Sequence, residues 1–455
     1  MDKLLLLSTT RRLAWSGLVV LALLLQNCQS DKETAAPESV PATSYTAEVA
    51  DKWAKLTLQL VRTSPGFTPP VTARALGYAG LTMYESVVAG IPGRRSMAGQ
   101  LQDLSSLPQP EAGQVYNWQL SANAAQASIL KALFANTTAA SMARIDSLET
   151  ALARQHAGTD EAVADRSGQY GRSVAQAIFT WSRTDGGHEG YNRNFPASFT
   201  PASALGDWQP TENGRTIPMQ PYWGSNRTFL ATDRNMPMPV PISYSSAPTS
   251  QYYAQYLEVY AKNRSLTQEE KEIAIWWADD PSETFTPPGH SYNLARILVN
   301  TTHADLGKAT ETFARTGIAV ADAFILCWKC KYIYNNERPY TFVRRFIDPT
   351  WVPFWPAPPF PGFPSGHATQ SAATAIVLEQ LYGNITFTDD SHVGRGRDIP
   401  RATDFRARTY HSFWETAEES ALSRFLGGIH SRQDNEIGLR EGRKIGQNVN
   451  ALSWR

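Results

Sequence analysis

Three cysteines in 455 residues cannot supply a disulfide framework, so a packed core must hold this fold together. Net charge is also lacking. Lys+Arg and Asp+Glu are equal at 42 each, which leaves no overall field to attract nucleic acid or an anionic membrane. Positive charge that matters must therefore be local. Charged residues make up only 18% of the chain while Trp alone numbers 13, the composition of a well-packed globular protein and not of a disordered one. Strand-like alternation and internal repeats are missing, which points to an all-α fold. Beyond the N-terminus there is no apolar run long enough to span a bilayer.

The one long apolar run, Leu13 to Leu25, follows Arg11 and Arg12 and reads as the core of an export signal over residues 1–28. Leu25-Gln26-Asn27-Cys28 resembles a lipoprotein signal in which Cys28 becomes the lipidated first residue; Asn27 departs from the small residue usual there. The expectation is a cell-envelope lipoprotein, periplasmic or outer-membrane-attached, with plain secretion or an uncleaved anchor as alternatives. Residues 29–45 are polar and rich in Pro and Ser, as in a flexible tether. The other two cysteines, Cys327 and Cys330, sit i and i+3, a spacing poorly suited to a disulfide within a helix, and are read as free thiols.

Apolar residues three and four apart predict helices over 46–63, 71–90, 113–135, 139–157 and 161–183. Small residues crowd the second (Ala73, Ala75, Gly77, Ala79, Gly80), so a neighbour can approach closely. From about 184 to 248 periodicity is lost, but the aromatic content predicts an ordered wrap lining the entrance to a site. Helical pattern resumes at 249–262, then from an N-cap region at Ser265–Glu269 to Trp277, and over 303–337, 366–382, 403–426 and 433–450. Residues 349–364, dense in Pro and aromatics, read as a rigid approach loop. The chain thus divides into an N-terminal helical region with its wrap (46–248) and a C-terminal region (249–455), as one large domain or two intimately packed halves.

Chemistry concentrates in three stretches: Lys331-x6-Arg338-Pro339, Pro364-Ser365-Gly366-His367, and Ser423-Arg424-x5-His430-x3-Asp434. They supply three permanent cations, two imidazoles, a hydroxyl and a glycine amide, an inventory suited to a tetrahedral oxyanion. Seven residues are about two helical turns, so Lys331 and Arg338 are expected to project from nearly the same face as a double grip from one element, although Pro339 biases Arg338 itself out of helical geometry. Ser365 and Gly366 enter an apolar helical run, whose first amides and dipole make an anion seat with His367 beside it. Arg424 and His430 would be roughly 240° apart on a continuous helix, so a break is expected at Gly427-Gly428. Asp434 can accept from one ring nitrogen of His430, fixing its tautomer, and can also cap the last helix. Taken singly, these stretches could be a solvated basic face, a turn and an N-cap; three together cannot. The remaining histidines are read as structural or exposed, and among them only His290, in Thr286-Pro287-Pro288-Gly289-His290, carries the alternative of bordering the site.

These eleven positions match, in order and without departure, the pattern of the superfamily of type 2 phosphatidic acid phosphatases and vanadium-dependent haloperoxidases, which the chain resembles. The resemblance implies helical bundles around an oxyanion site, with residues 249–455 as the shared domain. It implies vanadate, or phosphate, held by Lys331, Arg338, Ser365, Gly366, His367 and Arg424. His430 would be the axial ligand of vanadium or a phosphoryl-accepting nucleophile, and His367 the acid–base group. Two chemistries share this set. A haloperoxidase uses hydrogen peroxide to oxidise a halide, with Lys331 polarising the activated oxygen, and an organic acceptor can take the product. A phosphatase cleaves a phosphomonoester through a phosphohistidine. A degenerate binding protein is disfavoured because no motif residue is missing.

Several features favour the haloperoxidase, with iodide or bromide as the halide. The bilayer-spanning runs of the integral lipid phosphatases are lacking, and the superfamily's soluble acid phosphatases are shorter. Trp277-Ala278-Asp279-Asp280 followed by Thr286-Pro287-Pro288 resembles bacterial haloperoxidases. Trp328 and Phe360 fall where that family borders the halide, ordinary core packing being the alternative, and Asp280 would pair with a site arginine. No nucleic acid partner is expected, and no membrane contact beyond the lipid anchor.

Overall fold

A computed structural model describes residues 38–211 and 216–455. The export signal, Cys28 and most of the expected tether lie outside the described residues. The last part of the tether is packed instead: Ala42 is buried in a short 3-10 turn, and the Tyr45 carbonyl accepts from Leu306 N at 2.8 Å.

Side-chain caps set many of the helix starts. Asn117, Thr138, Asp160, Ser250 and Asp305 accept from main-chain amides of the first turn, and Thr267 forms a reciprocal capping box with Glu270. The all-α expectation holds, apart from a two-stranded antiparallel hairpin in which Phe387–Asp389 pairs with Arg408–Tyr410. The helix expected over 403–426 therefore begins only at Phe413, where Ser412 caps it. An additional helix, Thr286–Thr301, lies where the sequence reading placed none, and it begins at Thr286-Pro287-Pro288. Prolines at the first helical positions are tolerated because amides there have no intrahelical acceptor.

Ser39–Arg455 form one unit with a continuous apolar core, so residue 248 marks no structural break. The Pro69–Glu85 helix packs along the long Leu306–Tyr334 helix. The small residues permit it: a Cβ on Gly80 would run into the Phe313 carbonyl, and one on Gly317 into that of Leu76. The N-terminal half thus braces the helix that carries Trp328 and Lys331. Among the described residues, no helix is long and apolar enough to cross a membrane.

Candidate active site

Lys331 sits in the last turn of the Leu306–Tyr334 helix, which stops because Asn335 adopts a left-handed conformation (φ 48°). Arg338 is not on that helix. It is extended (φ −94°, ψ 158°) and caps the next one, Pro339–Phe346, as a residue before proline must. The expected grip from one helical face is corrected to a grip from two elements across a turn. Both cations converge on the same loop. Lys331 Nζ donates to the carbonyls of Pro361 (2.9 Å), Gly362 (2.9 Å) and Pro364 (2.6 Å). Arg338 Nε donates to the Phe360 carbonyl (3.0 Å), and its Nη1 to the Ile429 carbonyl (2.9 Å) and to His430 Nε2 (3.0 Å).

Arg424 comes from the opposite side, on the Phe413–Leu426 helix, and its Nη1 donates to the Trp277 carbonyl (2.9 Å). That helix ends at Leu426, Gly428 turns the chain with φ 76°, and Ser431 caps Arg432–Asn450, so the expected break is present. His430 lies between. Its Nδ1 is 3.0 Å from Asp434 Oδ2, which also accepts from Ser431 N, so Asp434 both orients the ring and caps the helix. A carboxylate can only accept and a guanidinium can only donate. Nδ1 therefore carries the proton, and Nε2 presents a lone pair to the cations. Burial, then the charges of Arg338, Lys331 and Arg424, hold this imidazole well below the usual histidine range and keep it neutral.

Ser365 N donates to the Asp434 carbonyl, and Ser365 caps the Gly366–Tyr382 helix. A Cβ at Gly366 would meet Trp328 at an ordinary 3.5 Å. Internal packing does not demand glycine there, whereas close approach of a ligand would. His367 Nε2 donates to the Trp277 carbonyl (2.8 Å), which leaves Nδ1 as its unprotonated nitrogen. Burial, then Arg424, holds this ring well below the usual range as well.

A cavity of about 210 Å³ is lined by Met219, Trp328, Phe360, His367, Arg424 and His430, among others. The 184–248 stretch and the 349–364 loop meet on its wall, where Met219 N donates to the Pro359 carbonyl (2.9 Å) and Trp328 Nε1 to that of Met219 (3.3 Å). The rings of Trp328 and Phe360 lie 4.9 Å apart, and Lys331 Nζ is 5.2 Å from the centre of Phe360. Lys331, Arg338 and Ser365 are fully buried against this wall.

Asp280 lines the cavity too, but the expected ion pair with a site arginine does not form. Burial raises its carboxyl to about 6, against the partly offsetting charge of Arg424. His290 does not border the site; it is fully buried one layer behind. The missed contributor is the Trp277 carbonyl, a main-chain acceptor with no signature in sequence. Cys327 and Cys330 are free and buried, as expected.

Among the described residues none of the three cations forms an ion pair with a carboxylate, and Arg424 Nε has no hydrogen-bond partner at all. Burial lowers Lys331 to about 8, Arg338 to about 9 and Arg424 to about 10. An unpaired ion buried in protein costs several kcal/mol. The counter-charge this cage lacks is an anion. Three cations, an orphaned guanidinium nitrogen, a ligand-facing glycine and an imidazole lone pair suit a tetrahedral oxyanion with one open coordination position. Vanadate fits that donor set.

An all-α bundle with such a cage defines an oxyanion-binding protein. The comparisons narrow the class. Residues 311–454 match the family described as VCPO second helical-bundle domain. The structure is similar to the first bacterial vanadium-dependent iodoperoxidase, at 31% identity over 89% of this chain and 96% of that one, with a TM-score of 0.77. It also shares its fold with a holo-type bacterial vanadium-dependent chloroperoxidase (16% identity over 91% of this chain and 95% of that one, TM-score 0.65). Among curated proteins, the vanadium chloroperoxidase of Curvularia inaequalis is 29% identical over 216 residues, which span 35% of each chain. The chain belongs to the vanadium-dependent haloperoxidase family.

Proposed function

We propose that the protein is an enzyme that uses vanadate and hydrogen peroxide to oxidise halide, iodide and bromide in preference to chloride, to a hypohalous equivalent. The observation that carries this reading is the group of three buried cations without carboxylate partners, arranged about a His430 whose lone pair is turned toward them. Lys331, Arg338, Ser365, Gly366, His367 and Arg424 would hold the oxyanion, and His430 Nε2 would bond the metal. Bound vanadium supplies the Lewis acidity that activates peroxide. His367 Nδ1 is the protein base that takes up and returns the peroxide proton. Halide oxidation by the purified protein, with and without added vanadate, tests the proposal. A metal-independent phosphomonoesterase without halide oxidation would select the phosphohistidine reading.

The halide preference rests on the Trp328–Phe360 wall, because a water-excluding aromatic surface admits weakly hydrated anions at lower cost than chloride. Phe360→Ala and Trp328→Ala should each narrow the iodide-to-chloride rate ratio by about tenfold. Unchanged ratios would make both side chains packing only.

Asp280 adds a pH dependence. Its carboxyl, raised to about 6 by burial, is neutral in acid and ionised above that pH, where its charge repels an entering anion. Halide KM should therefore rise as pH increases through about 6. In Asp280→Asn this rise should disappear.

Export with a lipid on Cys28 is also proposed, supported by Arg11, Arg12, the apolar run ending at Leu25 and the Leu25–Cys28 sequence. Mass spectrometry of the native N-terminus checks it; an unmodified terminus downstream of Cys28 would leave secretion alone.

A further inference from the structure

The stretch Trp276–Asp279 is pinned from behind by a buried charged cluster. His290 is fully buried, with Nδ1 2.8 Å from Asp279 Oδ2 and Nε2 2.8 Å from Asp389 Oδ2. Since carboxylates only accept, both ring nitrogens carry protons and the ring is an imidazolium. Burial opposes that charge, but Asp279 and Asp389 outweigh it and raise the group to about 10. The ring lies flat on Trp277, with centroids 4.4 Å apart and planes 20° apart. Trp276 Nε1 donates to Asp389 Oδ2 (2.9 Å), and Trp277 Nε1 to Glu419 Oε1 (2.9 Å). Asp279 is held at φ 52°, a left-handed conformation that is strained for a non-glycine residue. At the centre of this brace, the Trp277 carbonyl accepts from both His367 and Arg424.

We propose that His290 is a positioning residue for His367 and Arg424, acting through the Trp277 carbonyl it braces. This rests on the haloperoxidase reading above. The imidazolium fixes Trp277 by stacking and Asp279 by its ion pair. The carbonyl between them sets which nitrogen of His367 is protonated and where Arg424 points. His392 completes the cluster: its Nε2 lies 2.9 Å from Asp279 Oδ1 but out of line for a hydrogen bond, so both atoms lack a partner. Asp279, His290 and His392 are near enough to suggest a metal site. Both nitrogens of His290 are already committed to carboxylates, however, which leaves it no lone pair for a cation.

The test compares wild type with His290→Gln, which cannot be a cation, and Asp389→Asn, which keeps the stacked imidazole. Folding is followed by thermal melting, vanadate and phosphate affinity by calorimetric titration, and kcat and halide KM per vanadate-loaded site. Folded His290→Gln should bind vanadate about 10-fold more weakly, as loss of an outer partner does. It should lose about 10²-fold in kcat, as a displaced catalytic group does, with halide KM unchanged because the aromatic wall is untouched. On a His367→Ala background the same change should cost no further kcat. Asp389→Asn should move both quantities in the same direction, and decides the matter if His290→Gln does not fold. Unchanged affinity and kcat in a folded variant, a kcat loss that adds to that of His367→Ala, or a stoichiometric divalent metal in the purified protein would each overturn the proposal. If the wild type oxidises no halide, the haloperoxidase reading fails by itself, and the phosphate titrations still decide the positioning role through Arg424.

Discussion

His430→Ala should weaken vanadate binding by more than about 100-fold, beyond the 10–100-fold typical of losing an outer partner, and should abolish halide oxidation. Nε2 of this ring offers a lone pair toward the cations, while Asp434 holds the proton on the other nitrogen. Its removal takes away the one expected bond from protein to metal. Phosphate should lose far less affinity, because Lys331, Arg338 and Arg424 hold its oxygens without help from a bond to His430. Titrating vanadate and phosphate into the variant separates the two terms. Equal vanadate affinity in wild type and variant would refute the assignment of His430 as the metal ligand.

The opposite pattern is expected of His367→Ala. This side chain contributes one base nitrogen, Nδ1, with Nε2 tied to the Trp277 carbonyl. Vanadate should still bind measurably, since the three cations and His430 are intact. Turnover should fall by about 10²–10⁴-fold, the usual worth of a positioned acid–base group. Parallel measurement of affinity and kcat checks it; a variant that lost affinity as steeply as rate would make oxyanion binding, and not proton transfer, the main role of His367.

How far the site was legible depended on whether its partners are close in sequence. The break at Gly427-Gly428 followed from helix geometry alone, because Arg424 and His430 could not otherwise face one ligand, and the double role of Asp434 followed from its four-residue distance to His430. The helices at 139–157, 161–183 and 366–382 were read within a residue or two from apolar spacing and cap residues. The effect of Pro339 on Arg338 was legible, but seven-residue spacing still suggested a grip from one element, whereas the left-handed Asn335 ends the helix at Tyr334. The Thr286–Thr301 helix was missed because its first turn is built from prolines. The cluster around His290 was beyond reach for another reason. Its contacts span 11 and 99 residues, and the group it braces is a main-chain carbonyl, which every residue has. Asp280 was assigned to a pairing that its position on the cavity wall does not make.

The three unpaired cations have a consequence for how the protein becomes complete. Without an anion, Lys331, Arg338 and Arg424 repel one another in a region of low dielectric constant, softened by carbonyl dipoles from residues 277, 360–364 and 429 and by the nearby carboxylates of Asp434, Asp280 and Asp279, none of which pairs with them directly. The final ion pair of the fold must come from solution. A ligand at one hundred times its Kd adds about 2.7 kcal/mol to the stability of the state that binds it, comparable to a sizeable core substitution. Loading vanadate is then expected to stabilise the fold as well as to complete the site for catalysis.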